Sequence, residues 1–180
     1  MPPRYHKILV CITEDWFALS HFKPLMRTLV ELADEVVVAA RSSGRMAEIE
    51  ALGVRTIDFD FRRSSLRPMA QADVVRRLSR LIAAEKPDVV HAIAMQTLVV
   101  ASIATRISPV PHTVLHLTGL GFLGTSEGRA ARLIRPVALR LLAGTLRRPG
   151  SWLLAENPDD VAFLREGGAD PGGRFSILGG

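Results

Sequence analysis

Ile8 to Ile12 is an unbroken apolar run, Ile-Leu-Val-Cys-Ile, entered from Lys7 and left through Thr13-Glu-Asp-Trp-Phe-Ala-Leu-Ser-His21. Successive side chains of a strand point to opposite faces, so a strand with one wet face alternates apolar and polar residues. A run with no polar member demands cover on both faces, the condition of a parallel sheet sandwiched between helices. Ligands of such sheets sit beyond the carboxyl ends of the strands, which makes Thr13–His21 the first loop of a candidate site.

Further strand-like runs follow at Asp34–Ala40, Val54–Phe59, Lys86–Ala92 (ending at His91), Thr113–Leu117, Trp152–Ala155 and Phe175–Leu178. Between them lie segments of helical period. Ser20 is placed to cap a helix carrying Phe22, Leu25, Met26, Leu29, Val30 and Ala33 at helical spacing, with Pro24 tolerated in its first turn. A short helix turns Met46, Ile49 and Leu52 inward before Gly53, and a helix over 69–85 carries Val74, Leu78, Leu81 and Ile82. Gln96–Ile107, Arg129–Arg148 and the segment after Asn157-Pro158 complete the set. Strict alternation of this kind specifies an α/β fold: one Rossmann-like, doubly wound parallel sheet of about seven strands with helices on both faces. The chain of 180 residues suits one domain over 1–180. Gly179-Gly180 directly after the last strand reads as the start of an interdomain hinge.

Cys11, the single cysteine, lies inside a strand and reads as a small buried hydrophobe, which suits a reducing compartment. No apolar run approaches the roughly 18 residues that span a bilayer, and the amino terminus leads straight into a strand, so a cytoplasmic protein is expected. The formal net charge is +5, yet residues 129–155 hold six arginines and no acid, so the rest of the chain is close to neutral. Arg129, Arg132, Arg140 and Arg147 lie roughly opposite Leu133, Ile134, Val137 and Leu141 on a helical wheel interrupted by Pro136. That pattern fits either the solvated side of a packed helix or adhesion to an anionic bilayer. It lacks the interleaved aromatics of a nucleic-acid surface, so no nucleic acid is expected.

Gly119-Leu-Gly-Phe-Leu-Gly124 spells a dinucleotide fingerprint, but it follows the fifth strand instead of the first, and no acidic residue stands about 20 positions on to meet a ribose. Gly124-Thr-Ser-Glu-Gly128 spells a nucleophile elbow, but all five histidines precede Ser126, against the hydrolase order. The glycines, Gly119 and Gly121 among them, either serve a flexible loop or let backbone N–H groups approach a phosphate. No histidine, cysteine and carboxylate spacing supports a metal. What remains is convergence: His21, His91, Thr118, Glu156 and Asn157 fall at or just past strand ends on one rim. Singly, His21 reads as a helix-start residue, His91 as a hydrogen-bonded core histidine and Asn157 as a turn former. Trp16 and Phe17 either shape a pocket or cover the sheet edge.

Lys7-Ile-Leu-Val, Ser20-His21, Lys86-Pro-Asp-Val-Val-His91, Thr118-Gly-Leu-Gly-Phe122 and Asn157-Pro-Asp-Asp160 together resemble the amino-terminal domain of GT-B retaining glycosyltransferases of the family 4-like group. The likeness is greatest to the branch that extends lipid-linked or capsular saccharides. The resemblance implies one half of a GT-B fold: an acceptor-binding domain whose nucleotide-sugar domain is absent from this chain, which alone is inactive. It implies a hexosyl- or N-acetylhexosaminyltransferase with a UDP- or GDP-sugar as co-substrate and neither a metal nor a tightly bound cofactor. The acceptor would be a saccharide, including one on a polyprenyl phosphate, met at the inner membrane surface with Arg129, Arg132, Arg140 and Arg147 near the lipid. His21, Thr118 and His116 would serve catalysis, and Trp16, Ser20, His91, Gly119, Gly121, Glu156 and Asn157 would bind substrate. Two departures stand out. The family often has His-Arg where this chain has His21-Phe22, and often a histidine where Thr118 stands; His116 lies two residues earlier on the same strand face. The alternative is a flavodoxin-like module binding a phosphorylated small molecule at Thr118–Gly128 without catalysis.

Overall fold

The computed structural model describes residues 4–61, 68–119 and 129–178. Its elements run β1 (Tyr5–Glu14), α1 (Asp15–His21), α2 (Lys23–Leu32), β2 (Ala33–Arg41), α3 (Met46–Glu50), β3 (Arg55–Asp58), α4 (Pro68–Glu85), β4 (Val89–Ile93), α5 (Met95–Ile107), β5 (His112–Leu117), α6 (Arg129–Leu146), β6 (Ser151–Ala155), α7 (Pro158–Glu166) and β7 (Phe175–Ile177). The seven strands form one sheet in the order β3-β2-β1-β4-β5-β6-β7, and every neighbouring pair is parallel. The order reverses between β1 and β4, which places the crevice of the doubly wound fold at the ends of these two strands.

The apolar run of β1 feeds two cores. Leu9 and Cys11 join Val37, Ala39, Val90, Leu115, Leu117 and Leu153 under α4 to α7. Ile8, Val10 and Ile12 join Val36, Val38, Val89 and Ile93 under α1 to α3. Cys11 is a buried free thiol, and burial pushes it up to about 12, as befits a packing residue. At the amino end of the sheet, Lys7 Nζ bridges Glu35 (2.8 Å) and Glu85 (3.0 Å), and Arg55 bridges the same two carboxylates. This network ties β1, β2, β3 and α4 at the end remote from the crevice.

Three local expectations change. Thr13–His21 is not a loop: β1 continues to Glu14 and Asp15 opens α1. One helix from Ser20 is in fact two, joined at Phe22, and Ser20 caps neither; its hydroxyl donates to Trp16 O within α1 (2.7 Å). Pro24 explains the break, because its ring has no N–H for the Ser20 carbonyl and would clash with it in a continuous helix. Ala33 accordingly starts β2 instead of ending the helix. On α6 the buried stripe is Ala138, Leu139, Leu142, Ala143 and Leu146, while Val137, assigned to the apolar side, is 54% exposed. The helix runs through Pro136, which lies on its exposed side.

Candidate functional site

The rim at the carboxyl ends of β1, β4, β5 and β6 is built from backbone junctions that the sequence places one after another. At the end of β1, Asp15 is fully buried and accepts from Ser43 N (2.7 Å), Ser43 Oγ (2.6 Å), Arg45 N (3.0 Å) and Trp16 N (2.6 Å). Burial alone would raise its carboxyl, but these donors outweigh burial and hold it below the usual carboxylate range. Glu14, one residue earlier, accepts from the Trp16 indole (2.6 Å) and from Arg41 (2.8 Å). The indole is therefore pinned by its edge while 41% of the residue stays exposed on the rim. Ser20 and His21 are exposed at the far end of α1.

Ala94 follows β4 with φ +75 and ψ 147, a region that an L-residue rarely occupies. Its amide donates to His116 O (3.0 Å), and its carbonyl accepts from Leu98 N (3.1 Å) and Thr97 Oγ1 (2.8 Å). On β5, Thr118 and Gly119 sit half-buried just past the strand, and Gly119 has φ +106. The Gly119 amide donates to the Asp160 carboxylate. Asp160 in turn donates its own amide to Asn157 Oδ1 (2.8 Å) and accepts from Asn157 Nδ2 (2.9 Å). Asn157 caps α7 and Asp160 is the residue that answers it three positions on, so a reciprocal cap doubles as the tether between the β5 and β6 loops. Burial, the largest influence, raises the Asp160 carboxyl, with the Asn157 bond opposing it.

Of the residues expected at the site, Thr118, Gly119, Glu156 and Asn157 directly follow β5 and β6 and Trp16 stands in the first turn of α1, while Ser20 and His21 close α1 instead of following β1 directly. His91 does not end its strand: β4 runs to Ile93, leaving His91 mid-strand and 3% exposed. Two further buried apolar residues, Ala92 and Ile93, carry the strand past it, and the β4–β5 register sets Ile93 level with His116. His116 is equally buried, with its Nδ1 3.4 Å from His91 Nε2. Burial pushes His91 to about 3, with the neighbouring ring adding to the effect, and His116 to about 4, so both are neutral imidazoles near pH 7. Gly121 and the side chains of Arg129 and Arg132 lie outside the described residues; Arg140 and Arg147 are exposed on α6. Sequence reasoning missed Asp15, Glu14 and Ala94. Asp15 bonds a loop 28 residues away, which leaves no local pattern, whereas the Asn157–Asp160 spacing is a visible capping signal.

Among the described residues no group of three or more histidine, cysteine, aspartate or glutamate side chains is arranged to hold a metal. No described helix is long and apolar enough to cross a membrane. A groove of about 710 Å³ between α4 and α5 is lined by Val75, Ala83, Ile103 and Ile107 and is separate from the rim.

Residues 20–172 match the family described as the glycosyl transferase 4-like domain, and the chain belongs to that family. One relative is the N,N'-diacetylbacillosaminyl-diphospho-undecaprenol alpha-1,3-N-acetylgalactosaminyltransferase of Campylobacter jejuni, 22% identical over 149 residues that make up 82% of this chain and 39% of the enzyme. Among solved structures, HepE of Anabaena in complex with UDP-glucose superposes with a TM-score of 0.64 at 17% identity, covering 96% of this chain and 43% of HepE. A putative UDP-N-acetylglucosamine 2-epimerase of Listeria monocytogenes gives the same TM-score of 0.64 at 18% identity, over 98% of this chain and 45% of that one. The fold is thus shared with a protein named as an epimerase, and the family match is what favours the glycosyltransferase reading over a flavodoxin-like module. The chain spans less than half the length of these relatives.

Proposed function

We propose that this chain is the acceptor-binding half of a glycosyltransferase that moves a sugar from a UDP- or GDP-sugar to a saccharide acceptor, with a separate donor-binding domain completing the cleft. What supports the proposal is that the carboxyl-end side of the sheet carries Trp16 and His21 on α1 after β1, Thr118 and Gly119 after β5, and Asn157 after β6. An exposed indole pinned by its N–H offers an apolar platform for the C–H face of a pyranose, and the His21 imidazole at the end of the same helix and the Thr118 hydroxyl past β5 supply hydrogen bonds. His21 and Thr118 meet the acceptor hydroxyl or the donor pyrophosphate, and Glu156 and Asn157 line the same side. The name of the Campylobacter relative specifies a diphospho-undecaprenol-linked acceptor, which supports a lipid-linked saccharide here and a station at the cytoplasmic face of the inner membrane. Arg140 and Arg147 on the exposed side of α6 then lie near lipid phosphates.

The test is a titration of the 180-residue chain, followed by the indole resonances of Trp16 and Trp152. Methyl glycosides of glucose and N-acetylgalactosamine are expected to move the Trp16 signal and leave that of Trp152. Sugar transfer from UDP-glucose or UDP-N-acetylgalactosamine by the isolated chain would show that the half-enzyme reading is wrong.

A further inference from the structure

The rim rests on a file of rings that reaches back into the sheet. Trp16 meets Phe17 at 5.9 Å between centroids, Phe17 meets Phe22 at 5.3 Å, Phe22 meets His116 edge-on at 5.5 Å and 84°, and His116 meets His91 at 5.5 Å. His21 leans on Phe17 at 5.1 Å. Phe22 is the joint of this arrangement. Its amide closes α1 on Ala18 O (2.9 Å) and its carbonyl opens α2 to Met26 N (2.9 Å), with no side-chain cap on α1 or α2. Its ring is 5% exposed and seats the joint on the sheet.

The seat is polar where an apolar one would cost less. His116 is 3% exposed, its Nδ1 faces His91, and its Nε2 is buried without a hydrogen-bond partner among the described residues. Leaving a buried polar atom unpaired costs about 1–3 kcal/mol. A leucine at either position would avoid that cost and fill the same layer. What an imidazole adds is direction, because the bond to His91 fixes the plane of the His116 ring and an edge-on aromatic contact depends on that plane.

We infer that His91 and His116 are positioning residues for the rim: His91 holds the ring of His116, His116 seats Phe22, and Phe22 sets the placement of His21 and, through Phe17, of Trp16. The inference gains its functional meaning from the saccharide reading of the rim, but the coupling is measurable without any ligand. The two tryptophans make the measurement internal, since Trp152 donates its indole to Ser176 Oγ (3.3 Å) on the β6–β7 side of the sheet. In the 180-residue chain, His91→Leu is expected to shift the Trp16 indole and His21 ring resonances while Trp152 keeps its position. His91→Gln, whose amide can still hydrogen-bond His116, restores the wild-type positions. A residue that only fills space would accept leucine at least as well as glutamine. Unmoved Trp16 and His21 signals in His91→Leu, or equal shifts in both variants, would overturn the inference. If His91→Leu disturbs Trp152 as well, Phe22→Leu decides: it is expected to shift Trp16 and His21 with Trp152 unchanged, and no shift there overturns the coupling. Failure of the glycosides to bind wild-type protein, with the coupling intact, counts against the saccharide reading and not against the ring file.

Discussion

Asp15 and Ser43 join the end of β1 to the end of β2: one carboxylate accepts both the amide and the hydroxyl of Ser43, at 2.7 and 2.6 Å. Together with the bonds from Arg45 N and Trp16 N, this makes Asp15 the anchor of the first turn of α1. Asp15→Ala removes four part-buried hydrogen bonds to one carboxylate and is expected to destabilise the chain by roughly 3 kcal/mol. The cause is specific: Asp15→Asn, which keeps one acceptor oxygen, falls between wild type and alanine. Urea denaturation of the three proteins measures the order, and equal stabilities would show that the knot contributes nothing.

Gly119→Ala tests the β5 end. The position has φ +106 with nothing among the described residues within 4 Å of an added Cβ, so the substitution acts through backbone strain, of order 1–3 kcal/mol. Relief of that strain draws the Gly119 amide from Asp160. Slower or weaker glycoside binding is expected together with faster exchange of the Gly119-equivalent amide. Asp160→Asn, which retains the reciprocal cap with Asn157, is expected to be milder.

Ala94 predicts a gain. Its φ of +75 and ψ of 147 suit glycine, and relief of the strain outweighs the added flexibility of the unfolded chain. Ala94→Gly is expected to stabilise by about 1 kcal/mol, read as a rise in the denaturation midpoint with unchanged slope.

The sheet was legible in the sequence because its signal is local. An unbroken apolar β1 and the alternation of runs and helical segments each imply a covered parallel sheet, and the seven strands lie where those runs lie. The rim was legible only in part. Thr118 and Asn157 stand beside strand ends, and a strand end can be located to within a residue or two, whereas His21, read as following β1 directly, closes α1 because Asp15 opens a helix there. His91 went to the middle of β4 because two further apolar residues, Ala92 and Ile93, extend the strand, which the sequence had ended at His91. Asp15 looked like one more polar residue of a loop, since its partners come from residues 43 and 45 and no spacing within β1 announces them. The apolar stripe of α6 was displaced because Val137 and Leu141 are as hydrophobic as Leu139 and Leu142, and only contact with β6 and α5 decides which pair is inside.

The α6 arginines give a prediction about surfaces. Arg140 and Arg147 are exposed, and each basic residue near an anionic bilayer contributes about 1 kcal/mol. Arg140→Glu with Arg147→Glu is expected to lower partition onto vesicles of phosphatidylglycerol and phosphatidylcholine at least tenfold, with no change on pure phosphatidylcholine. Co-sedimentation measures it; unaltered partition of the double variant removes this helix from the membrane contact.

Acid provides the last test, because two classes of group respond in sequence. His91 and His116 are held at about 3 and about 4 in the folded chain, below the usual histidine range near 6.5. As pH falls below that range the unfolded chain takes up protons that the folded chain refuses, so stability declines from about pH 6.5 to pH 4, by roughly 3 kcal/mol from His116 alone. The carboxylates act later. Asp15 is lowered by its donors despite burial, and Glu35 and Glu85 by Lys7 and Arg55, so their contributions persist above the usual carboxylate range and are lost only as pH falls through their lowered folded values. Denaturation midpoints between pH 7 and 3 are therefore expected to fall in two stages. His91→Gln combined with His116→Gln removes the first stage and leaves the second, whereas a first stage that survives in the double variant assigns it to other groups.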